Sequence, residues 1–161
     1  MGGERQTDRG AHGPGGTVPA WDGNTQGERM PSFDTKRLPV RPDVVAPDGS
    51  DVRVLLRLTG GSLAHFTLAP GQTSNAVAHR AVEEIWFFLA GRGEVWRRLG
   101  DQEAVVAVDA GVCITIPAGT RFQFRSLGDE PLAAIAVTMP PWPGEGEAYP
   151  VAGKWTSTVA R

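Results

Sequence analysis

The stretch APGQTSNAVAHRAVEEIWFFLAGRGEVW, Ala69 to Trp96, carries one histidine, two adjacent glutamates and a run of aromatics between glycines. An imidazole and a carboxylate held together in an apolar setting can exchange protons with a substrate, and with further ligands they can hold a divalent ion. Strand geometry decides which groups meet. Alternate residues of a strand share a face, so if Glu84 points inward then Trp86 and Phe88 do too, and Glu83 points away. An inward carboxylate costs several kcal/mol unless it is paired, hydrogen-bonded or neutralised. His79 is the natural partner for Glu84, and the two are expected as a charged pair, because each favours the other's ionised form while the apolar wall disfavours either charge alone. The competing reading of His79 is a hydrogen-bonded, inert core imidazole.

The elements that must position these groups are short strands. From Asp51 onward the text runs VRVLLRL, LAHFTLAPG, NAVAHR, EIWFFLAG, GEVWRRLGD, EAVVAVDAG, VCITIPAG, RFQFRSLGDE and PLAAIAVTMP, about nine strands separated by glycine turns, with no long amphipathic helix. That pattern predicts an all-β antiparallel sandwich or barrel over residues 48–140. Residues 1–47 read as a disordered or extended N-terminal arm, because their isolated apolar residues follow neither the helical nor the strand period. His12 falls in its disordered part. Prolines in SFDTKRLPVRPDVVAPDGSD forbid a helix but permit edge pairing. Residues 141–161 are too rich in Pro and Gly to continue the sheet, and Trp142, Tyr149 and Trp155 suggest a tail partly packed on the domain, over a mouth of the barrel.

Sixteen basic residues against eighteen acidic ones, with net charge −2, leave no electrostatic footprint for nucleic acid or an anionic membrane. The expected partner is a small neutral or weakly charged molecule. A single cysteine, Cys113, excludes an internal disulfide framework and every multi-cysteine zinc pattern, and its apolar context GVCITIP predicts a buried, inert thiol. No apolar run is long enough for a membrane span and the N-terminus has no signal-like segment, which together predict a cytoplasmic protein. The glycine-containing stretches lack a phosphate-loop lysine and a following helix, and GGS at Gly60 to Ser62 lacks the strand-then-helix setting of a nucleophile elbow.

The glycines and prolines of the β region fall in a register that resembles the two motifs of the cupin superfamily. Gly71, five residues, Val77-Ala78-His79, four residues, Glu84, six residues and Gly91 match the first, in which the family has a His-x-His pair. Gly111, Pro117 and Gly119 match the second, with Phe122 where the family has its last histidine ligand and Ser126 where it has asparagine. The resemblance covers residues 50 to 140. It implies a cupin-type conical antiparallel β-barrel (a double-stranded β-helix), commonly a homodimer, acting on small molecules.

In that family two histidines on one strand face, a glutamate from the next strand and a histidine from a distant hairpin surround one ion. Here Val77 and Phe122 replace two of the four ligands, leaving His79 and Glu84. Catalytic sites usually supply about three side chains, so a third ligand has to be recruited, and His65 is the only other histidine in the domain. The expectation is therefore no cofactor or a weakly held divalent ion, with His79, Glu84 and His65 as the candidate metal set. Trp86, Phe88, Phe122 and Phe124 either plug the interior or, with Val77 and His65, line an apolar substrate pocket. Gln123, Arg121 and Arg125 are expected outward, and one of Arg97 and Arg98 buried against an acid. The resulting expectation is an enzyme acting on an apolar or aromatic metabolite by proton transfer through His79 and Glu84, of isomerase, cyclase or lyase type, similar to small cupins of secondary metabolism. The alternatives are a metal-dependent oxygenase with a rebuilt site and a ligand-binding domain without turnover.

Overall fold

A computed structural model of the chain describes residues 33–160. Eleven strands follow in order: β1 (Val44–Val45), β2 (Asp51–Arg57), β3 (Ser62–Leu68), β4 (Val77–His79), β5 (Glu83–Ala90), β6 (Arg92–Leu99), β7 (Gln102–Asp109), β8 (Cys113–Ile116), β9 (Arg121–Ser126), β10 (Leu132–Met139) and β11 (Ala148–Pro150). They pair into a six-stranded sheet, β1-β2-β3-β10-β5-β8, and a five-stranded sheet, β11-β4-β9-β6-β7. All pairings are antiparallel. The chain crosses repeatedly between the sheets, giving a double-stranded β-helix arrangement whose ladders form two open sheets rather than one closed ring. No helix among the described residues is long and apolar enough to cross a membrane.

Alternation along the strands sets the core. Trp86 and Phe88 of β5, Phe66 of β3, Ile114 and Ile116 of β8, Val95 of β6 and Phe122 and Phe124 of β9 all turn between the sheets. Their aromatic rings interlock: Phe66 meets Trp86 at 4.6 Å, and Trp86 meets Phe124 at 5.3 Å and Phe122 at 5.4 Å, edge-on in each case. Such pairs add roughly 0.5–1.5 kcal/mol each beyond area burial. Gly91, at the β5–β6 turn, has φ of +74°, and a Cβ there would lie 2.4 Å from the carbonyl oxygen of Pro131. Only glycine meets both demands.

The expected edge pairing is seen at β1, which pairs with Val52 and Asp51 of β2. Upstream of it, Arg53 donates from Nε and Nη2 to the carbonyls of Pro39 and Val40, fixing the extended chain against β2. Residues 1–32, including His12, lie outside the described residues.

Three expectations need correcting here. The tail does continue a sheet: Ala148, Tyr149 and Pro150 pair with His79, Ala78 and Val77, and proline is tolerated because β11 is an edge strand. Gln123 has outward parity but is only 1% exposed, because the tail covers it; its amide nitrogen donates to the carbonyls of Ser74 and Trp155, and its oxygen accepts from the Trp155 amide. Cys113 is exposed, since Ile114 and Ile116 take the inward positions of β8.

Candidate functional site

His79 ends β4 and Glu84 is the second residue of β5, so the three residues between the two strands must turn the chain from one sheet to the other. That turn is held from outside by the C-terminal segment. Glu147 accepts from the amides of Ala81 and Val82 through Oε1, at 2.8 and 2.6 Å. Its own carbonyl takes the Arg80 amide, and Arg80 Nε donates to the carbonyl of Gly146. From the other side, the Gly119 amide donates to the carbonyl of His79. Both side chains are consequently fixed and nearly enclosed, at 6% and 7% exposure, with Nδ1 of His79 3.9 Å from Oε2 of Glu84.

That separation is too long for a hydrogen bond. Nδ1 of His79 is buried without a partner, while Oε2 of Glu84 accepts from the indole Nε1 of Trp86 at 2.7 Å. The imidazole sits between two aromatic rings: Phe122 at 5.1 Å and Trp142 at 5.0 Å, both edge-on. Trp142 is placed by its amide, which donates to Oγ of Ser62 at 3.0 Å; that hydroxyl is also hydrogen-bonded to Thr138, the β10 neighbour of Glu84.

The electrostatics follow from this enclosure. Burial lowers the His79 pKa to about 4, opposed by the charge of Glu147. Burial raises the Glu84 pKa to about 7, opposed by the Trp86 hydrogen bond and reinforced by Asp48. Asp48 is itself raised by burial against its hydrogen bonds from Ser50. Glu147 behaves oppositely: although burial pushes it up, the amides of Ala81 and Val82, with His79 nearby, outweigh that and hold it low. Between pH of about 4 and about 7 the resting pair is thus neutral imidazole beside protonated carboxyl. This corrects the charged pair expected from the sequence. At 3.9 Å, without a direct hydrogen bond, mutual attraction does not repay desolvation of both charges.

Val77 and Phe122 face one another in the β4–β9 register beside His79, and Trp86, Phe88 and Phe124 continue the same interior. The rings fill this space: Phe88, Phe122 and Phe124 are at most 1% exposed. Two surface clefts, of about 240 and 290 Å³, are lined by other residues.

His65 is not brought to the pair. Its row runs Arg53–His65–Ile135–Phe87, whereas the inward row runs Phe66–Ala134–Phe88, so the imidazole lies on the outer face of the six-stranded sheet. Burial there, with the charge of Arg53, lowers its pKa. The expected His65/His79/Glu84 ligand set is therefore not assembled, and among the described residues no group of three His, Cys, Asp or Glu side chains is placed to hold a metal ion. The donors present do not fit the family's ion. Val77 and Phe122, paired beside His79, offer no donor atom, and the indole N–H of Trp86 already occupies Oε2 of Glu84.

Trp142 and Glu147 complete the site, one covering His79 and the other fixing its turn. Trp142 is legible only as an aromatic in a proline-rich segment, and nothing in the spacing of Glu147 points to the site.

Residues 64–138 match the family described as Cupin domain. No curated protein is significantly similar to the chain. Among solved structures, the fold resembles an uncharacterized conserved protein with a double-stranded β-helix domain from Klebsiella pneumoniae, with TM-score 0.54 and 19% identity over 65% of this chain and 85% of that one. It also resembles BH2720 from Bacillus halodurans, with TM-score 0.53 and 23% identity over 62% and 76% of the two chains. The Cnp3 cupin domain of Schizosaccharomyces pombe is similar at TM-score 0.51 and 11% identity, over 56% and 64%. Two antiparallel sheets, the motif glycines in register and the family match over the strands from β3 to β10 together show a double-stranded β-helix fold of the kind typical of cupins, with the likeness to the cupin family carried by residues 64–138.

Proposed function

We propose that the domain is a small-molecule enzyme working by proton transfer, of isomerase, cyclase or lyase type, with Glu84 as acid and His79 as base. The observation that carries this reading is the opposite displacement of two groups 3.9 Å apart, the imidazole down to about 4 and the carboxyl up to about 7. Paired titratable groups pushed apart in this way supply an acid and a base at one pH. His79 Nδ1, buried and unpartnered, takes a proton from substrate carbon as the C–H bond breaks. Glu84 gives its proton to a second substrate atom as a new bond to hydrogen forms. The imidazolium and carboxylate left behind are both disfavoured by burial, so returning the proton from His79 to Glu84 restores the neutral pair.

The substrate class follows from the lining: Val77, Trp86, Phe88, Phe122 and Phe124 favour an apolar or aromatic molecule. Entry requires a ring to move, and Trp142, half-buried on a segment outside the sheets, is the one whose displacement uncovers His79. Hydrogen–deuterium exchange tests the reading: a panel of apolar and aromatic carbonyl compounds is incubated with the protein in D2O and followed by NMR. Exchange at carbon with wild type, falling about 100-fold in both Glu84→Gln and His79→Gln, is the expected result. A compound that binds in the interior without exchanging or reacting rejects it.

A second reading is favoured by the filled interior: a ligand-binding domain without turnover, in which the interlocked rings serve as core. The half-exposed row Ile85, Phe87 and Leu89 on the outer face of β5 supports a homodimer in either case.

A further inference from the structure

Away from His79 and Glu84, the edge strands β7 and β8 of the two sheets leave a cleft of about 240 Å³ whose lining includes Arg97, Leu99, Glu103, Ala104, Pro117 and Thr120. Arg97 has inward parity, paired with Phe122 on one side and Ala104 on the other, but lies where the strands run out of core. The acid expected beside it is absent from its hydrogen bonds: Nη1 donates to the carbonyl of Thr115 at 2.8 Å, tying the guanidinium across the seam. Its Nε is buried with no partner. Oγ1 of Thr120, a residue only 3% exposed, is likewise buried with no partner. Two residues that line one small cleft thus each keep a covered, unspent polar atom, and a buried, unsatisfied guanidinium N–H is costly unless something accepts from it.

We propose that this cleft binds a small organic carboxylate, held by the free Nε edge of Arg97 and the hydroxyl of Thr120, with its apolar body against Leu99, Ala104 and Pro117. A guanidinium whose Nη1 is already committed keeps its Nε–Nη2 edge, the fork that matches both oxygens of a carboxylate, and a small turn of the side chain uncovers Nε to the bound ligand. Among the described residues that line the cleft the one acid, Glu103, is turned to other partners: its Oε1 accepts from Trp96 Nε1 at 2.7 Å and lies 3.8 Å from Nζ of Lys154. The volume is below the roughly 300 Å³ at which drug-sized pockets begin, so the ligand is a molecule of a few carbons. This site is independent of the proton-transfer reading and survives its failure.

The test is titration of the full chain with 4-methylpentanoate and, separately, its neutral amide, followed by 15N–1H NMR at the Arg97 Nε–H and the Thr120 amide. The carboxylate is expected to shift both resonances saturably and the amide to shift neither. Arg97→Gln should abolish saturation, and Arg97→Lys, which keeps the charge but loses the fork, should weaken binding by about tenfold or more. Thr120→Val, near-isosteric, should weaken it less. Equal shifts with the amide, no saturable shift with the carboxylate, or unchanged affinity in Arg97→Gln would each overturn the proposal. Should either Arg97 variant fail to fold, the comparison of acid with amide on wild type still decides it.

Discussion

Trp86 donates its indole N–H to Oε2 of Glu84 at 2.7 Å from two residues further along the same strand. The bond works against the enclosure, because it favours the ionised carboxyl that burial disfavours, and so sets how far above the usual range the group is pushed. Trp86→Phe keeps an aromatic ring and deletes the donor. The Glu84 pKa is then expected to rise further, by on the order of one unit, in a carboxyl-detected NMR titration. An unchanged midpoint would show that the indole N–H has no say in the charge state of Glu84.

The two displaced groups have opposing effects on stability. Glu84, raised to about 7, contributes stability that is fully present below its ordinary value of 4.5 and is lost as pH rises through about 7. His79, lowered to about 4, contributes stability present above 6.5 and lost as pH falls through about 4. Between pH 4.5 and 6.5 the slopes cancel, one group gaining what the other loses. Relative to wild type, Glu84→Gln should therefore gain a slope of up to about +1.4 kcal/mol per pH unit in this window, and His79→Gln one of the opposite sign. Urea unfolding at several pH values measures both, and parallel curves for all three proteins would contradict the assignment.

Val77→His and Phe122→His together place two imidazoles beside His79 and Glu84, at positions already facing each other across β4 and β9. Affinity for nickel or zinc is expected to rise by at least about 100-fold over wild type in calorimetric titration. Stoichiometric metal in the unmodified protein, read by elemental analysis, would contradict the poor donor fit seen here.

Much of this architecture is legible in the sequence because it depends on local rules. Glycine turns and period-two alternation are enough to place Trp86, Phe88, Phe122 and Phe124 inside and to turn Glu83 out. What escapes is long-range. The parity of His65 depends on which residue of β10 it pairs with, and a one-residue shift exchanges the faces. Gln123 is buried by a segment some thirty residues later in the chain, which alternation cannot anticipate. The same holds for Trp142 and Glu147, whose partners at Ser62, Ala81 and Val82 lie 65 to 80 residues away. The protonation state of the pair fails for a different reason: it depends on a 3.9 Å gap that spacing alone does not fix.

On the outer face of β5, Ile85, Phe87 and Leu89 are 40%, 42% and 43% exposed in an unbroken apolar row. Phe87→Glu places a charge at its centre without touching the inward residues. Light scattering after size exclusion is expected to show a dimer for wild type and a monomer for the variant. A monomeric wild type would leave this face without a self-partner.

His79 and Glu84 are expected to act as one catalytic unit. Turnover needs His79 neutral and Glu84 protonated, so kcat/KM should follow a bell with limbs near pH 4 and pH 7, the values set by burial of each group. Glu84→Gln removes the alkaline limb along with the acid, and His79→Gln removes the acidic limb along with the base. Each substitution should lower turnover by roughly 100-fold or more, and the double variant should lose little beyond the worse single one, because a proton relay missing either member is already broken. Trp86→Leu and Phe124→Leu should instead weaken substrate binding, with smaller effects on kcat, since these rings shape the enclosure without exchanging protons. Losses that multiply in the double variant would mean that the two groups act on separate steps. Intact activity in both single variants, with the fold preserved, would move catalysis away from this pair altogether.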